Sequence, residues 1–301
     1  MNKTLSKITD KLFFQRYILG ICQCSIQEVI RTKDFNPDIK WLPTRSFKIF
    51  RADPFFIQGG KGEIKILYEK FFLKEDYAAI ALLTLDNEFK ETSSKILLNT
   101  KSHLSFPFVF SEGDRIFVFP ESSKSGKLSC YEYSVESETL TFIQHIINLP
   151  LVDSTVLFYK EKYWIYGSVV NEDKYYELLV FFSDNLFGPY QPHPSNPIKV
   201  GLNGIRAAGN FIYVDGCIYR PTQNCENEYG ESITINKITS LNETDVCEEP
   251  YMEIVINNNN RLNSSIRTIH TINVLGDYIT VDGKCYSFAP LYKLIKLFRG
   301  Y

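Results

Sequence analysis

Nine polar residues at recurring places in the chain carry the chemistry that this sequence can offer. Arg51, Asp53, His103, Ser105, Asp153, Arg206 and His270 each stand at or near the opening of an apolar, aromatic-rich segment. Glu69 and Glu121 close the segments that follow the first and second of these. Carboxylates gathered round one pocket with Arg and His form the equipment used on glycosidic bonds, where one carboxylate is base or nucleophile and another is acid. Asp53, Asp153 and Glu121 are the candidates for that work. Arg206 and His270 are expected to hold substrate hydroxyl or phosphate groups, with Arg51, Glu69, His103 and Ser105 as further substrate contacts. An Asp before Pro or Ser at a strand end also caps turns, which is the competing role for Asp53 and Asp153.

These residues meet only if the segments that carry them are arranged around one axis. The segments are repeats: Ala52–Ile57 with Ile64–Glu69, Phe106–Phe110 with Ile116–Glu121, Asp153–Phe158 with Tyr163–Gly167, Ala208–Tyr213 with Cys217–Pro221, and His270–Val274 with Tyr278–Asp282. In each, an apolar strand pattern, a short polar turn and a second aromatic strand follow in order. The spacing is roughly 50 residues, the length of a four-stranded propeller blade. The first four units supply further strands, such as Tyr77–Leu85 and Tyr176–Phe182, but the fifth runs out of chain after two. An open last blade would expose edge strands, so Arg16–Cys22 and Ile39–Leu42 are expected to complete it. The fold class is therefore all-β: a five-bladed β-propeller with four-stranded blades, the last closed by N-terminal strands. Residues 1–45 form the closing segment, 46–290 the propeller and 291–301 a tail. Ser25-Ile-Gln-Glu28 marks a short helix between the two N-terminal strands.

Composition agrees with a folded chain and excludes several classes. Of 301 residues, 44% are hydrophobic and 23% charged, and 19 Tyr with 23 Phe suit pleated sheet. The formal net charge of -2 argues against nucleic acid as a partner. Seven cysteines include no C-x-x-C pair and no His at metal-ligand spacing, so neither a metal nor a cofactor is expected. Cys130 and Cys217 read as core residues, and His145 and His193 as surface ones. No run of 18 apolar residues and no leader pattern occurs, which reads as a cytoplasmic protein. The tail alternates basic and apolar residues and is a candidate for peripheral membrane contact, or a short helix capping the fold.

A dozen ordered motifs resemble the N-terminal domain of plant glucosamine inositolphosphorylceramide transferase and its bacterial relatives. Among them are Trp41-Leu-Pro, Arg51-Ala-Asp-Pro-Phe55, Tyr68-Glu69, His103-Leu-Ser-Phe-Pro-Phe-Val-Phe110, Pro120-Glu-Ser122, Val152-Asp-Ser-Thr155, Arg206-Ala-Ala-Gly209, Tyr219-Arg-Pro-Thr-Gln223, Tyr229-Gly230, His270-Thr271 and Asp282-Gly-Lys284. The resemblance implies a five-bladed propeller similar to the arabinanase and levansucrase types. It adds Tyr219, Arg220, Gln223 and Tyr229 to the candidate substrate contacts. Arabinanase-type propellers carry an Asp on blade two where Ser105-Phe-Pro-Phe108 has none, and Asp153 is its candidate stand-in. In the plant protein a separate C-terminal domain is the expected seat of transfer. Two functions follow as expectations. One is an enzyme that cleaves or transfers a glycosyl unit in cell-surface polysaccharide or glycolipid assembly, on a saccharide, nucleotide-sugar or glycolipid substrate. The other is a noncatalytic glycan-binding module serving a partner glycosyltransferase.

Overall fold

The computed structural model describes residues 13–44, 46, 48–59, 62–256 and 266–288. They form five antiparallel sheets arranged as the blades of a propeller. Blade 1 contains β3 (Ile49–Ile57), β4 (Ile64–Phe72), β5 (Tyr77–Leu85) and β6 (Glu91–Leu98). Blade 2 contains β7 (Ser105–Glu112), β8 (Arg115–Glu121), β9 (Leu128–Ser134) and β10 (Thr139–Ile147). Blade 5 runs β21 (Ile266–Leu275), β22 (Tyr278–Phe288), β1 (Phe13–Gln23) and β2 (Lys40–Leu42), so the N-terminal strands close it as the repeat count requires. Cys22 is the register partner of Ile279, and Leu19 that of Asp282.

Two blades depart from the regular repeat. In blade 3, β11 (Val152–Tyr159), β12 (Lys162–Val170) and β13 (Tyr176–Ser183) are followed by a fourth strand split into β14 (Gln191–Pro192) and β15 (Lys199–Gly201). Pro192, Pro194 and Pro197 cannot donate to a ladder, so pairing lapses between the pieces. His193 sits in this break and is buried, contrary to the surface role read from sequence. Its Nδ1 accepts from Ser195 N, and its Nε2 lies 3.1 Å from the Asn242 carbonyl on blade 4. Blade 4 has its inner strand split into β16 (Asn203–Ala207) and β17 (Ile212–Val214), ahead of β18 (Cys217–Asn224), β19 (Ser232–Leu241) and β20 (Val246–Ile254). The continuous strand expected over 208–213 is thus interrupted. Ala208 N bonds to Pro221 O while Ala208 O accepts from Ile272 N, which ties blade 4 to blade 5. A Cβ on Gly209 would lie 1.9 Å from Ile272 O, so only glycine allows that approach.

The core lies between neighbouring blades rather than at the axis. Phe55, Phe106, Phe108, Phe117 and Phe119 cluster between blades 1, 2 and 3, and Trp164, Tyr166, Val180, Ile205 and Ile218 between blades 3 and 4. This placement explains the aromatic bias, because large flat side chains fill wedges between twisted sheets. Helix α1 (Ile26–Thr32) is capped by Ser25 Oγ, which accepts from Glu28 N, and it buries Ile26, Val29 and Ile30. Trp41 is seated on Gly20 and Gly283, where any side chain would collide with its ring. All seven cysteines are free; Cys130 is buried, Cys217 only partly. The tail at 291–301 lies outside the described residues.

Candidate functional site

A single repeated irregularity builds the centre. Every inner strand breaks register with its neighbour, at Ala52/Phe55, Ser105/Phe108, Val152/Thr155, Asn203/Ala207 and Ile269/Ile272, and β21 does so a second time at Ile266/Thr268. Such bulges re-aim side chains and free backbone N–H groups from the ladder. Asp53, Phe106 and Asp153 occupy the bulges of blades 1, 2 and 3 with φ of 50°, 41° and 48°. These left-handed conformations are costly for residues other than glycine and persist only where surrounding structure holds them. Here carboxylates do so. Asp282 Oδ2 accepts from Asp53 N at 2.9 Å, Asp53 Oδ2 from Phe106 N at 3.0 Å, and Glu121 Oε2 from Asp153 N at 3.2 Å. Each acid therefore fixes the bulge of another strand.

The strands bring Asp53, Glu69, Glu121, Asp153, Arg206, Gln223, Tyr229 and His270 together. Arg206 Nε donates to Asp153 Oδ2 at 2.6 Å, and Gln223 Nε2 donates to the same oxygen at 3.1 Å. His270 Nδ1 lies 2.7 Å from Asp282 Oδ1, and its Nε2 lies 3.4 Å from Asp53 Oδ1. Tyr229 covers the centre, its ring 4.8 Å from the Arg206 guanidinium and edge-on to His270. Lys284 Nζ holds the Tyr229 carbonyl and pairs with Glu228. His103 stands at the border, its Nε2 3.8 Å from Glu69 Oε1. Ser105 is buried opposite Glu121 in the β7–β8 register.

Three sequence candidates point elsewhere. Arg51 forms a two-pronged ion pair with Glu91 on the outermost strand of its own blade. Arg220 is fully buried against Glu248 and the carbonyls of Gly204 and Ile205. Tyr219 packs against Tyr251 in the core between blades 4 and 5. The expectation that Arg206 and His270 are available for phosphate is also corrected, since carboxylates already hold both.

Two central residues were not among the sequence candidates. Asp282, wholly buried, accepts from the backbone N–H groups of Asp53 and Thr271 and holds His270. Its place inside Asp282-Gly-Lys284 was the available signal. Tyr17, from the closing strand β1, lies over His270 at 4.5 Å with its buried hydroxyl unpaired. Asp53, His270 and Asp282 also bring donor atoms within 4.8 Å of one another, a spacing suited to a metal ion. Their positions on β3, β21 and β22 hid that grouping from sequence spacing, and in this structure the His270–Asp282 hydrogen bond engages two of the donors.

Burial governs the protonation of the centre. It pushes Asp53 up to about 6, with His270 opposing and Asp282 and Asp153 adding to the rise. Burial beside Asp53, to which it is hydrogen-bonded, carries Glu69 well above the usual carboxylate range. Glu121 is pushed up to about 8 by burial and by Asp153, against the pull of Arg206. Burial lowers His270, but Asp282 and Asp53 outweigh it, so the imidazole is held charged to higher pH than usual. Glu69 beside Asp53 and Glu121 beside Asp153 are thus both raised, by burial first and then by the neighbouring carboxylate. A neutral carboxyl that donates beside an ionised one that accepts is the combination required for general acid and base work.

Comparisons with known proteins agree with this architecture. A family 117 glycoside hydrolase of the marine bacterium Zobellia galactanivorans superposes with a TM-score of 0.54 at 12% identity, covering 93% of this chain and 92% of that one. A thermostable family-43 glycoside hydrolase gives 0.52 at 14% identity, over 72% and 83%. At such identities the likeness is one of fold. In sequence, glucosamine inositolphosphorylceramide transferase 1 of Arabidopsis thaliana is 32% identical over 217 residues, and that of Oryza sativa subsp. japonica 29% over 215. Each match covers 69% of this chain but only 27% and 28% of the respective relative, so the chain spans about a quarter of their length. Among the described residues no helix is long and apolar enough to cross a membrane. The family model described as Glucosamine inositolphosphorylceramide transferase 1, N-terminal, matches residues 45–274, from the first blade to the inner strand of the last, and the chain belongs to that family.

Proposed function

We propose that the protein is a carbohydrate-active propeller that cleaves or transfers a glycosyl unit in cell-surface polysaccharide or glycolipid assembly. The observation that carries this reading is the two buried carboxyl couples round one axis, Asp53 with Glu69 and Asp153 with Glu121, in each of which burial and the neighbouring carboxylate raise the Glu. On this reading an ionised Asp is base or nucleophile and a neutral Glu delivers the proton to the leaving oxygen. Arg206 and Gln223 orient Asp153, and Asp282 with His270 orients Asp53. Among the described residues every cation at the centre is committed to a carboxylate. That favours an uncharged glycoside over a nucleotide diphosphate sugar at this point. A cytoplasmic location and a partner glycosyltransferase belong to the same proposal.

The match to the family model of the N-terminal part of those relatives supports a second reading, a glycan-binding module for a transferase. One experiment separates them. Wild type and Asp53→Asn are incubated with aryl glycosides, cell-surface polysaccharides and nucleotide sugars, and products are resolved by anion-exchange chromatography and mass spectrometry. The enzyme reading expects turnover that drops by a factor of ~100 or more in the variant, with melting unchanged. Full turnover by Asp53→Asn removes Asp53 from the mechanism, and binding with no wild-type turnover selects the module.

A further inference from the structure

Outside the centre, a groove of about 720 Å³ runs along blade 4. Its walls come from Asn203 on β16, Asn224 on β18, Thr234 and Asn236 on β19, and Glu253 on β20, with Lys199 of β15 at the blade 3 side. Because β16, β18, β19 and β20 lie side by side in that order, the groove crosses the blade from its inner strand to its rim. Glu226, which also lines it, belongs to the loop that carries Tyr229 over the carboxyl centre.

This surface is polar where the rest of the blade 3–blade 4 interface is apolar. Trp164, Tyr166, Val180, Ile205 and Ile218 form an apolar core, whereas the groove presents amides, a hydroxyl and carboxylates beside Pro250, Tyr251 and Met252. Asn236 is 1% exposed, and its Nδ2 donates to Thr222 Oγ1 at 2.7 Å, yet its buried Oδ1 has no partner. A buried acceptor without a donor is costly and uncommon. Gly204, in a left-handed conformation with φ of 75°, leaves the space beside that oxygen open; a Cβ there would sit 4.0 Å from it. The ammonium of Lys199 is taken by Glu248 at 2.7 Å, which Arg220 also holds. Glu226 and Glu253 remain as uncompensated carboxylates at the rim, with Glu253 accepting only from Ser232. Hydroxyl donors suit this lining, and an anionic ligand would meet two carboxylates, with the Lys33 ammonium over the Tyr251 ring as the nearby positive charge.

We infer that this groove is a second saccharide-binding site, which takes a neutral hexose chain along blade 4 and delivers it toward the carboxyl centre. The inference extends the glycan reading above, but its test reads binding alone. Isothermal titration calorimetry is performed with neutral gluco-, manno-, galacto- and xylo-oligosaccharides and with oligogalacturonate, on wild type, Asn203→Ala, Asn236→Asp and Asp53→Asn. Asn203 is exposed, so its variant retains the fold; circular dichroism melting checks the buried Asn236 variant. The expected result is binding of a neutral chain but not of oligogalacturonate. Its affinity should fall about tenfold in Asn203→Ala, the loss of one or two hydrogen bonds. The inference is overturned if no neutral chain binds, if the uronate binds better, or if Asn203→Ala leaves affinity intact while Asp53→Asn abolishes it. Loss of turnover in Asp53→Asn with groove variants inert would retain the glycan reading and discard the groove; the converse would retain the groove and discard the catalytic centre.

Discussion

Replacing Glu121 by Gln tests the protonation on which the catalytic reading rests. In the fold this side chain is buried and accepts from Asp153 N at 3.2 Å and from Ser123 Oγ at 3.2 Å. Burial and Asp153 raise it from 4.5 to about 8. Between those values the folded protein binds more protons than the unfolded chain. The stabilisation is fully present below the unfolded value and is lost as pH rises through the folded one. The slope is about 1.4 kcal/mol per pH unit, so from pH 5 to 7 the wild type should lose roughly 3 kcal/mol through this group. A Gln amide can donate to the Asp153 carboxylate while its carbonyl accepts from Asp153 N, so Glu121→Gln retains the geometry without titrating. Asp53 and His270 titrate in both proteins, and Glu69, to whose rise Glu121 adds less than burial and Asp53 do, changes little between them. Urea unfolding at pH 5, 6 and 7, followed by the fluorescence of buried Trp164, should show the variant gaining roughly 3 kcal/mol on the wild type across that window. Parallel curves, within about 0.5 kcal/mol, would mean that Glu121 is ionised in the fold, and the proton-donor role would fall with it.

Three other outcomes are expected. Gly209→Ala, whose Cβ would meet Ile272 O at 1.9 Å, should lower stability by more than ~3 kcal/mol, whereas Gly216→Ala, at a left-handed position facing open space, should lose only ~1–2; similar melting temperatures for the two would refute the close approach. Asp282→Asn removes the charge that holds His270, so the imidazole pKa followed by NMR should fall by at least about one unit, and an unmoved value would assign the effect to Asp53 alone. Deleting residues 13–42 strips β1 and β2 from blade 5 and opens the edge of β22, so the protein should aggregate; a soluble, cooperatively melting monomer would contradict closure by those strands.

The repeats made the number of blades and their closure legible, because alternating apolar patterns and a period near 50 residues are local properties that survive any rearrangement of the rest. The same pattern led to Asp53, Asp153, Glu121 and Glu69, since a polar residue that interrupts an aromatic strand at a fixed place in each repeat is visible without coordinates. Arg51 shows where that logic stops. It stands two residues from Asp53, and a regular strand would put both on one face, but the left-handed bulge at Asp53 re-aims its carboxylate to the axis while Arg51 runs along the blade to Glu91. Arg220 and Tyr219 were named by motif, and their motif serves packing. Asp282, Tyr17 and the groove at Asn236 depend on strands distant in sequence meeting at one point, which no local pattern encodes. Sequence by itself determined the blades, their order and the acidic character of the centre, through side-chain periodicity and strand closure. Only the tertiary structure decided which acids lie buried beside one another, which cations are spent on them and where an unpaired amide faces a groove, because desolvation and hydrogen bonding depend on neighbours that the chain supplies from five different blades.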